Sequence, residues 1–175
     1  MMRVLKQVLG VDVAQKELVV TIGRLLENLS IELYAYKIFS NTEKGFSSLL
    51  TWSKKLTDPD TELRFVMEAT GVYHQKFAYF LDDHGYASSI VLPNKISNYI
   101  RTLEVKTVTD KSCSEAITRF GLERKLDNWK RPKGTYKCLQ QLTRERDQIV
   151  LERSAVKNQL RRRSDACRKS GSRTA

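Results

Sequence analysis

The sequence is short of the residues that build disulfide frameworks and zinc sites. Its three cysteines, Cys113, Cys138 and Cys167, are odd in number and far apart, and none belongs to a CxxC pair. The two histidines, His74 and His84, are also too far apart to act as neighbouring ligands on one helix turn. Zinc sites and disulfide scaffolds need paired, closely spaced residues. The sequence therefore argues against both classes, and neither histidine receives a role in a site.

Long apolar runs are missing as well. No stretch approaches the roughly 18 consecutive apolar residues that a membrane-spanning helix requires. The first residues, MMRVLKQVLGVDV, continue into charge and a strand pattern rather than a signal-peptide cleavage site. We therefore expect a soluble, cytoplasmic protein. A chain of 175 residues that is 41% hydrophobic can form one domain of roughly 100 to 150 residues with an appendage.

Positive charge is concentrated at one end of the chain. Residues 131–175 hold 13 Lys/Arg against 4 Asp/Glu, which accounts for +9 of the net charge of +11. A basic segment joined to a nearly neutral domain is typical of proteins that bind phosphate backbones. A solvated helix face without a partner is the alternative, since charge runs often have none.

The hydrophobic pattern predicts an α/β domain over residues 1–130. Strands that follow one another, and then alternate with helices, indicate a mixed sheet flanked by helices. The predicted strands are 4–13, 16–22, 31–39, 63–69 and 87–93, and the predicted helices are about 43–56, the segment that ends at Gly85, 94–103 and 111–125.

A break at Lys130-Arg131-Pro132-Lys133-Gly134 separates this domain from a different kind of segment. Residues 135–163 contain no proline or glycine, and apolar residues recur near heptad spacing among alternating charges, which predicts a long basic helix or coiled coil. Residues 164–175 lose this periodicity and are rich in Ser, Arg and Lys, so we expect a disordered basic tail.

Three acidic residues stand where strands and helices are expected to end or begin. Asp12 lies near the end of the first strand, Glu68 closes the run FVME, and Asp110 begins or caps a helix. Converging carboxylates repel one another, so such a cluster is stable mainly when divalent cations neutralise it, and oxygen ligands select magnesium or manganese. Two such ions can activate a nucleophile and stabilise a leaving oxygen in phosphodiester chemistry. Structural acids in salt bridges or helix caps are the alternative.

Four segments together resemble the DEDD transposases of bacterial insertion sequences: GVDVAQKELVV, FVMEATGVYHQ, VLPNKISNY and KTVTDKSCSEAI. The resemblance runs over residues 4–160. It implies an RNase H-like domain similar to the Holliday-junction resolvase RuvC, with four acids that hold Mg²⁺ or Mn²⁺. It also implies DNA as substrate, DNA transposition and recombination as function, assembly into a homo-oligomer through the long helix, and, in several family members, a structured guide RNA.

Carried over by motif, Asp12, Glu68 and Asp110 match the first three acids of the family. Cys113-Ser114 stands where the family has Asp-Ala, so the fourth ligand does not match. Glu115 lies two residues further along, roughly 200° around a helix from position 113, and would substitute only if the helix were reoriented. The family continues into a domain with a nucleophilic serine, which this chain does not reach, so complete strand exchange is expected to be absent from it.

Several basic residues are candidate nucleic-acid contacts. Lys95, Lys106 and Lys111 surround the acids and could hold phosphates, with Lys111 preferred because it follows Asp110. Arg161, Arg162 and Arg163 could bind nucleic acid in a salt-sensitive way. The aromatic residues, Trp52 and Trp129 among them, are expected to pack in the core rather than stack on bases.

Two other functions compete with a nuclease-type transposase domain. One is a non-catalytic nucleic-acid-binding or assembly protein derived from a transposase, motivated by the unmatched fourth acid and the basic helix. The other is a sugar kinase or actin-like ATPase, which also places an acid early in a sheet. No glycine-rich phosphate loop follows Asp12, which argues against the kinase.

Overall fold

The computed structural model describes residues 2–69, 71–103, 107, 109–132 and 134–171; for residues 137, 140 and 162–171 it describes the backbone alone. The chain divides into two compact units, Met1–Arg131 and Pro132–Ala175. The first unit is a sheet with helices on both faces, and the second is one helix.

The first unit is built on a mixed sheet of five strands. In chain order they are β1 (Val4–Val13), β2 (Glu17–Leu26), β3 (Ile31–Ser40), β4 (Leu63–Glu68) and β5 (Ser88–Val91). Their order across the sheet is β3-β2-β1-β4-β5. The first three strands are antiparallel, whereas β4 is parallel to both β1 and β5. The predicted RNase H-like mixed sheet is confirmed.

Four helices belong to this unit: α1 (Glu43–Lys54), α2 (His74–Asp83), α3 (Pro93–Thr102) and α4 (Asp110–Glu123). Thr42 caps α1, and Thr109 with Ser112 forms a capping box at the start of α4. Each cap satisfies amide groups that the first helical turn leaves unpaired. Asp110 is therefore the first residue of its helix and not its cap.

β2 is longer than the sequence predicts, because the strand continues through Gly23 to Leu26. The ladder with β3 is irregular between Ile22 and Gly23, and a Cβ at position 23 would lie 2.9 Å from Thr118 Cγ2. A glycine inside a strand often marks such an irregularity or a close approach. The glycine thus permits the strand to continue where the sequence pattern suggests an end.

Alternate residues of the central strands face two separate cores. Leu9, Val11, Phe65 and Met67 pack with α1 and α2 on one face of the sheet. Val8 and Val66 pack with Ile96 of α3 and with Ile117 and Leu122 of α4 on the other face, called here the α4 face. Because side chains alternate along a strand, Asp12 and Glu68 both belong to the α4 face.

The α4 helix lies unusually close to the sheet. A Cβ at Gly10 would stand 2.5 Å from the backbone nitrogen of Thr118, and one at Gly121 would stand 2.8 Å from Val8 Cγ1. Two buried hydroxyl contacts hold this approach: Thr21 Oγ1 and Ser114 Oγ are 2.7 Å apart, and Thr118 Oγ1 donates to Thr21 O at 3.1 Å. The start of α4 is thereby fixed over the end of β1.

The predicted packing roles of the tryptophans agree with their contacts in this unit. Trp52 lies against Phe39 with ring centroids 5.4 Å apart, and Trp129 lies edge-on against Tyr79 at the same distance. Both side chains are partly buried against the core on the α1 and α2 side of the sheet. Their apolar area therefore stabilises the first unit.

The second unit is the helix α5 (Gly134–Gly171). It begins at the predicted break and extends eight residues past residue 163, where the sequence predicts a change to a disordered tail. The backbone of residues 164–171 is helical here, and residues 172–175 lie outside the described part of the chain. Among the described residues, no helix combines the length and the apolar character that crossing a membrane would require.

Candidate functional site

Asp12 and Glu68 lie side by side at the carboxyl ends of neighbouring parallel strands. The β1–β4 ladder ends with the pair Val11 and Met67, and the two acids are the next residues along each strand. Both project to the α4 face, and both are half-buried. Since the ends of parallel strands meet at one edge of a sheet, ligands in α/β proteins commonly bind there.

The amino-terminal turn of α4 adds two side chains at the same edge. Asp110 is exposed at the first position of the helix, and Cys113 is half-buried one turn later. Ser114, held by Thr21, fixes the rotation of this turn. Residues three positions apart on a helix share a face, so Asp110 and Cys113 are presented together.

The electrostatics show that these four side chains share one environment. Burial, followed by the charges of Asp110 and Glu68, raises the pKa of Asp12 to about 6. Burial also raises the pKa of the Cys113 thiol, and the charges of Asp12, Glu68 and Asp110 raise it further. Burial and nearby carboxylates both disfavour the charged form of an acid or a thiol, so each effect has the expected sign.

Glu115 does not join this group. Its carboxylate lies 3.9 Å from Lys111 Nζ, one turn back on the exposed side of α4. The charges that raise the pKa values of Asp12 and Cys113 are those of other acids. Glu115 lies two positions after Cys113 on the helix, which turns it roughly 200° away. Cys113, and not Glu115, is therefore the side chain of α4 that faces the acids one turn after Asp110.

The carboxylate donors at this end of the sheet are of the type that a hard divalent cation prefers. Within the described residues, no group of three or more His, Cys, Asp or Glu side chains could hold a metal ion as placed. Magnesium does not need such a cage, because it keeps several waters and is commonly bound by one or two carboxylates. The unbalanced negative charge at Asp12 is what such an ion would neutralise.

The family of this chain follows from its similarity to known proteins. The model of the DEDD transposase family of the IS110 type, described as "Transposase", matches residues 9–163. The chain belongs to this transposase family. Pilin gene-inverting proteins of Moraxella bovis and Moraxella lacunata are each 29% identical to it over 120 residues. That alignment covers 66% of this chain and 37% of each relative, so the chain spans little more than a third of their length.

Solved structures with a similar arrangement are more distant. The fowlpox virus Holliday junction resolvase is 15% identical, with a TM-score of 0.46 over 67% of this chain and 98% of its own. RuvC of T. thermophilus, solved in complex with a Holliday junction substrate, is 10% identical, with a TM-score of 0.44 over 67% of this chain and 97% of its own.

The lysines predicted to bind phosphates in this transposase-family chain differ from one another in their surroundings. Lys95 is exposed in the first turn of α3, directly after β5 and at the same sheet edge as the acids. Lys111 lies over the Tyr36 ring, 5.2 Å from its centroid, besides its ion pair with Glu115. Lys106 lies outside the described residues. The role of Lys95 and Lys111 as phosphate contacts stays a prediction.

The three arginines belong to the second unit. Arg161 is exposed on α5, whereas the side chains of Arg162 and Arg163 lie outside the described part of the chain. Exposure of a cationic side chain on a helix is compatible with binding a phosphate backbone. It is equally compatible with simple solvation, so the role of these arginines stays a prediction.

Asn41 supports the site through contacts that the sequence pattern does not indicate. Its side chain is 8% exposed and donates to Ala14 O at 2.9 Å and to Tyr73 O at 3.3 Å. Ala14 follows β1, which carries Asp12, and Tyr73 lies in the segment between Glu68 and α2. The side-chain amide of Asn41 therefore connects the two segments that follow these acids in the chain. The only sequence signal is its place in Ser-Asn-Thr, which also reads as an ordinary helix start.

Proposed function

We propose that this chain carries the nuclease-like centre of a DNA transposase, which cleaves or transfers phosphodiester bonds of DNA with Mg²⁺ or Mn²⁺ during transposition. The observation that carries the proposal is the position of Asp12 and Glu68 at the carboxyl ends of two paired parallel strands, on the sheet face that is covered by the helix beginning at Asp110. The raised pKa of Asp12, to which the charges of Asp110 and Glu68 contribute after burial, supports it.

Asp12, Glu68 and Asp110 are the residues that would hold the ion. When bound, a divalent cation at this position would supply a nucleophile at neutral pH and stabilise charge on the leaving oxygen. The role of the chain is to fix the carboxylates: two through the register of β1 and β4, and one through the capped start of α4. Lys95 and Lys111 would orient the phosphate backbone beside them.

The similarity to pilin gene-inverting proteins supports DNA as the substrate. Those relatives are named for inverting a gene, and they share the family of this chain. The described part of this chain corresponds to a portion of their length, so we assign it cleavage chemistry at the acidic centre rather than the complete recombination. A DNA substrate also fits the cytoplasmic location that the sequence predicts.

A non-catalytic nucleic-acid-binding or assembly module is the second candidate. It is favoured by Cys113, a thiol where a fourth carboxylate would complete a harder ligand set, and by the basic composition of α5. Such a module would bind DNA in a salt-dependent way, with no requirement for a divalent ion. The guide RNA and the homo-oligomer through the long helix stay predictions.

The decisive assay is nicking of a branched DNA duplex by the purified chain in Mg²⁺ or Mn²⁺. We expect nicking that EDTA stops and that Asp12→Asn and Glu68→Gln abolish. Asp60→Asn is the matched control, because Asp60 is an exposed acid in the loop before β4, at the other end of that strand. Binding without nicking, unchanged by EDTA and by Asp12→Asn, would establish the second candidate instead.

A further inference from the structure

Two large side chains of β3 are exposed on the α4 face of the sheet, beside the acidic centre. Tyr36 is 41% exposed and Ile38 is 48% exposed, whereas Phe39, which projects to the opposite face, is buried. Side chains alternate along a strand, so Tyr36 and Ile38 share one face, and Lys111 of α4 lies over the Tyr36 ring on that face. Tyr36 and Ile38 are called here the β3 platform.

The pairing of the strands places this platform in line with the acids. Asp12 is opposite Val19 of β2, and Val19 is opposite Ile38 of β3. In the row below, Thr21 is opposite Tyr36. Two strand spacings separate Asp12 from Ile38, which amounts to roughly 10 Å. Since Val19 between them is buried, the row leads from the acid over a closed surface to an exposed apolar end.

The first turn of α4 adds a cation to the platform. Lys111 Nζ lies 5.2 Å from the centroid of the Tyr36 ring, and the lysine side chain is 58% exposed. Lys111 directly follows Asp110, so two consecutive residues of one turn serve the platform and the acidic centre. The ion pair of Lys111 with Glu115 spans 3.9 Å between exposed groups, and such pairs are weak. The ammonium group is therefore free to turn to a phosphate and uncover the ring.

An exposed aromatic ring, an apolar neighbour and a cation together fit an unpaired base of a DNA strand. Proteins bind single strands through aromatic rings on which bases stack, next to cations that contact the backbone. A paired base is enclosed between its neighbours in the duplex, so only an unpaired or opened base presents its face. A DNA strand advances 3.4 Å per nucleotide in the duplex, so roughly 10 Å corresponds to about three nucleotides. A strand with a phosphate at the acids therefore reaches the platform.

We propose that Tyr36 and Ile38 hold an unpaired DNA base about three nucleotides from the bond at the acidic centre, while Lys111 contacts an adjoining phosphate. The identity of the strand rests on the proposed function, but stacking on the platform needs no divalent ion. The platform thus selects DNA that is single-stranded or opened beside the bond, a preference that the acids alone do not give.

Fluorescence anisotropy of a labelled single-stranded oligonucleotide, measured with the full chain in EDTA, tests the platform without cleavage. We expect Tyr36→Ala to weaken binding by about fivefold or more, because alanine substitution removes the stacked contact. Tyr36→Phe retains the ring and should bind within about twofold of the unchanged chain. The loss in Tyr36→Ala should persist as salt is raised, because stacking releases no counterions, unlike phosphate contacts.

Tyr34→Ala is the matched control for Tyr36→Ala. Tyr34 is 36% exposed on the same strand, but its hydroxyl donates to Leu56 O, just after α1 on the other face of the sheet. We expect Tyr34→Ala to bind the oligonucleotide as the unchanged chain does. Equal binding by Tyr36→Ala and Tyr34→Ala, or an equal loss in Tyr36→Phe, would overturn the proposal.

Photocross-linking tests the same contact in the unchanged chain, so its result does not depend on how a variant folds. An oligonucleotide that carries 5-iodouracil, irradiated with the chain in EDTA, should cross-link to Tyr36, as peptide sequencing by mass spectrometry would show. Asp12→Asn should keep this cross-link, because stacking needs no ion. A cross-link at Tyr36 without nicking in Mg²⁺ would support the platform and reject the nuclease centre. Nicking with cross-links only at other residues would reject the platform alone.

Discussion

Gly10 of β1 lies directly under Thr118 of α4. A Cβ at position 10 would meet Thr118 Oγ1 and would stand 2.8 Å from Ser114 O, one turn earlier on the helix. Since Asp12 follows Gly10 by two residues on the same face, and Cys113 adjoins Ser114, this approach sets the distance between the acid on the sheet and the residues at the start of α4. The missing side chain is thus part of the geometry of the site.

Gly10→Ala should lower the free energy of unfolding by about 1–3 kcal/mol, because the added methyl overpacks the interface between α4 and the sheet. It should also weaken divalent-ion binding, since α4 can make room only by moving Asp110 away from Asp12. Chemical denaturation and ion titration measure the two effects. Gly134→Ala, where an added Cβ meets nothing within 4 Å, is the control. Equal stability of the two variants would contradict the role of Gly10.

Asn41→Ala should cost about 1–3 kcal/mol of stability, because two backbone carbonyls would lose their buried donor. We also expect faster hydrogen exchange in the segments around Ala14 and Tyr73 than in the core strands. Asn98→Ala, an exposed residue of α3, provides the comparison. If exchange in these two segments were unchanged, Asn41 would contribute packing alone.

The sequence predicts most of the fold because the strands carry clear patterns. β1 has the predicted bounds, and β3 and β4 differ from the predicted ones by one residue at the carboxyl end. β5 is shorter than predicted by one residue at its start and two at its end. The end of α5 is different: a Ser- and Arg-rich composition predicts disorder, but it contains no proline, and glycine first occurs at Gly171. Composition alone does not break a helix where no residue opposes helical backbone angles.

The sequence predicts the acids of the candidate site, but it does not predict the residues that hold their strands and loops in place. Asp12, Glu68 and Asp110 follow from their positions at strand and helix ends. The contacts of Gly10 with α4 and of Asn41 with two loops join residues far apart in sequence, so local periodicity carries no information about them. An isolated glycine inside a strand pattern is a general sign of close approach, and it is the one signal that could have identified Gly10.

The pKa of Asp12 makes stability depend on pH. The folded chain holds this proton more tightly than the unfolded chain, because the pKa is raised to about 6. As pH rises from about 4 to about 6, the folded state must ionise Asp12 at a cost, so the free energy of unfolding should fall by about 1–2 kcal/mol after allowance for partial exposure.

Asp12→Asn should remove this loss and leave the variant more stable than the unchanged chain at pH 7 in EDTA. Denaturant titrations of both proteins from pH 4 to pH 7 measure the difference between their free energies of unfolding. The contributions of all other titrating groups largely cancel in this difference. Asp60→Asn should follow the unchanged chain. A difference between Asp12→Asn and the unchanged chain that did not vary with pH would contradict the environment assigned to Asp12.

Cys113→Asp should have opposite effects with and without ions. A fourth carboxylate beside three others adds repulsion, so the variant should be less stable than the unchanged chain in EDTA. It should bind Mg²⁺ more tightly, by about tenfold, because the number of charged ligands tunes affinity for hard cations. Cys113→Ser controls for loss of the thiol and should leave Mg²⁺ affinity close to that of the unchanged chain. Mg²⁺ affinity of Cys113→Asp no higher than that of Cys113→Ser would place residue 113 outside the ion's reach.

The most direct test of the acidic centre is the thermal unfolding of the chain as Mn²⁺ or Mg²⁺ is added, compared with Asp12→Asn, Glu68→Gln and Asp60→Asn. An ion at about a hundredfold over its Kd adds roughly 2.7 kcal/mol to stability, which raises Tm by several degrees. We predict this rise for the unchanged chain and for Asp60→Asn, and its loss in the other two variants. A chain that shows no rise, or a rise that survives both Asp12→Asn and Glu68→Gln, would contradict a metal centre at these acids.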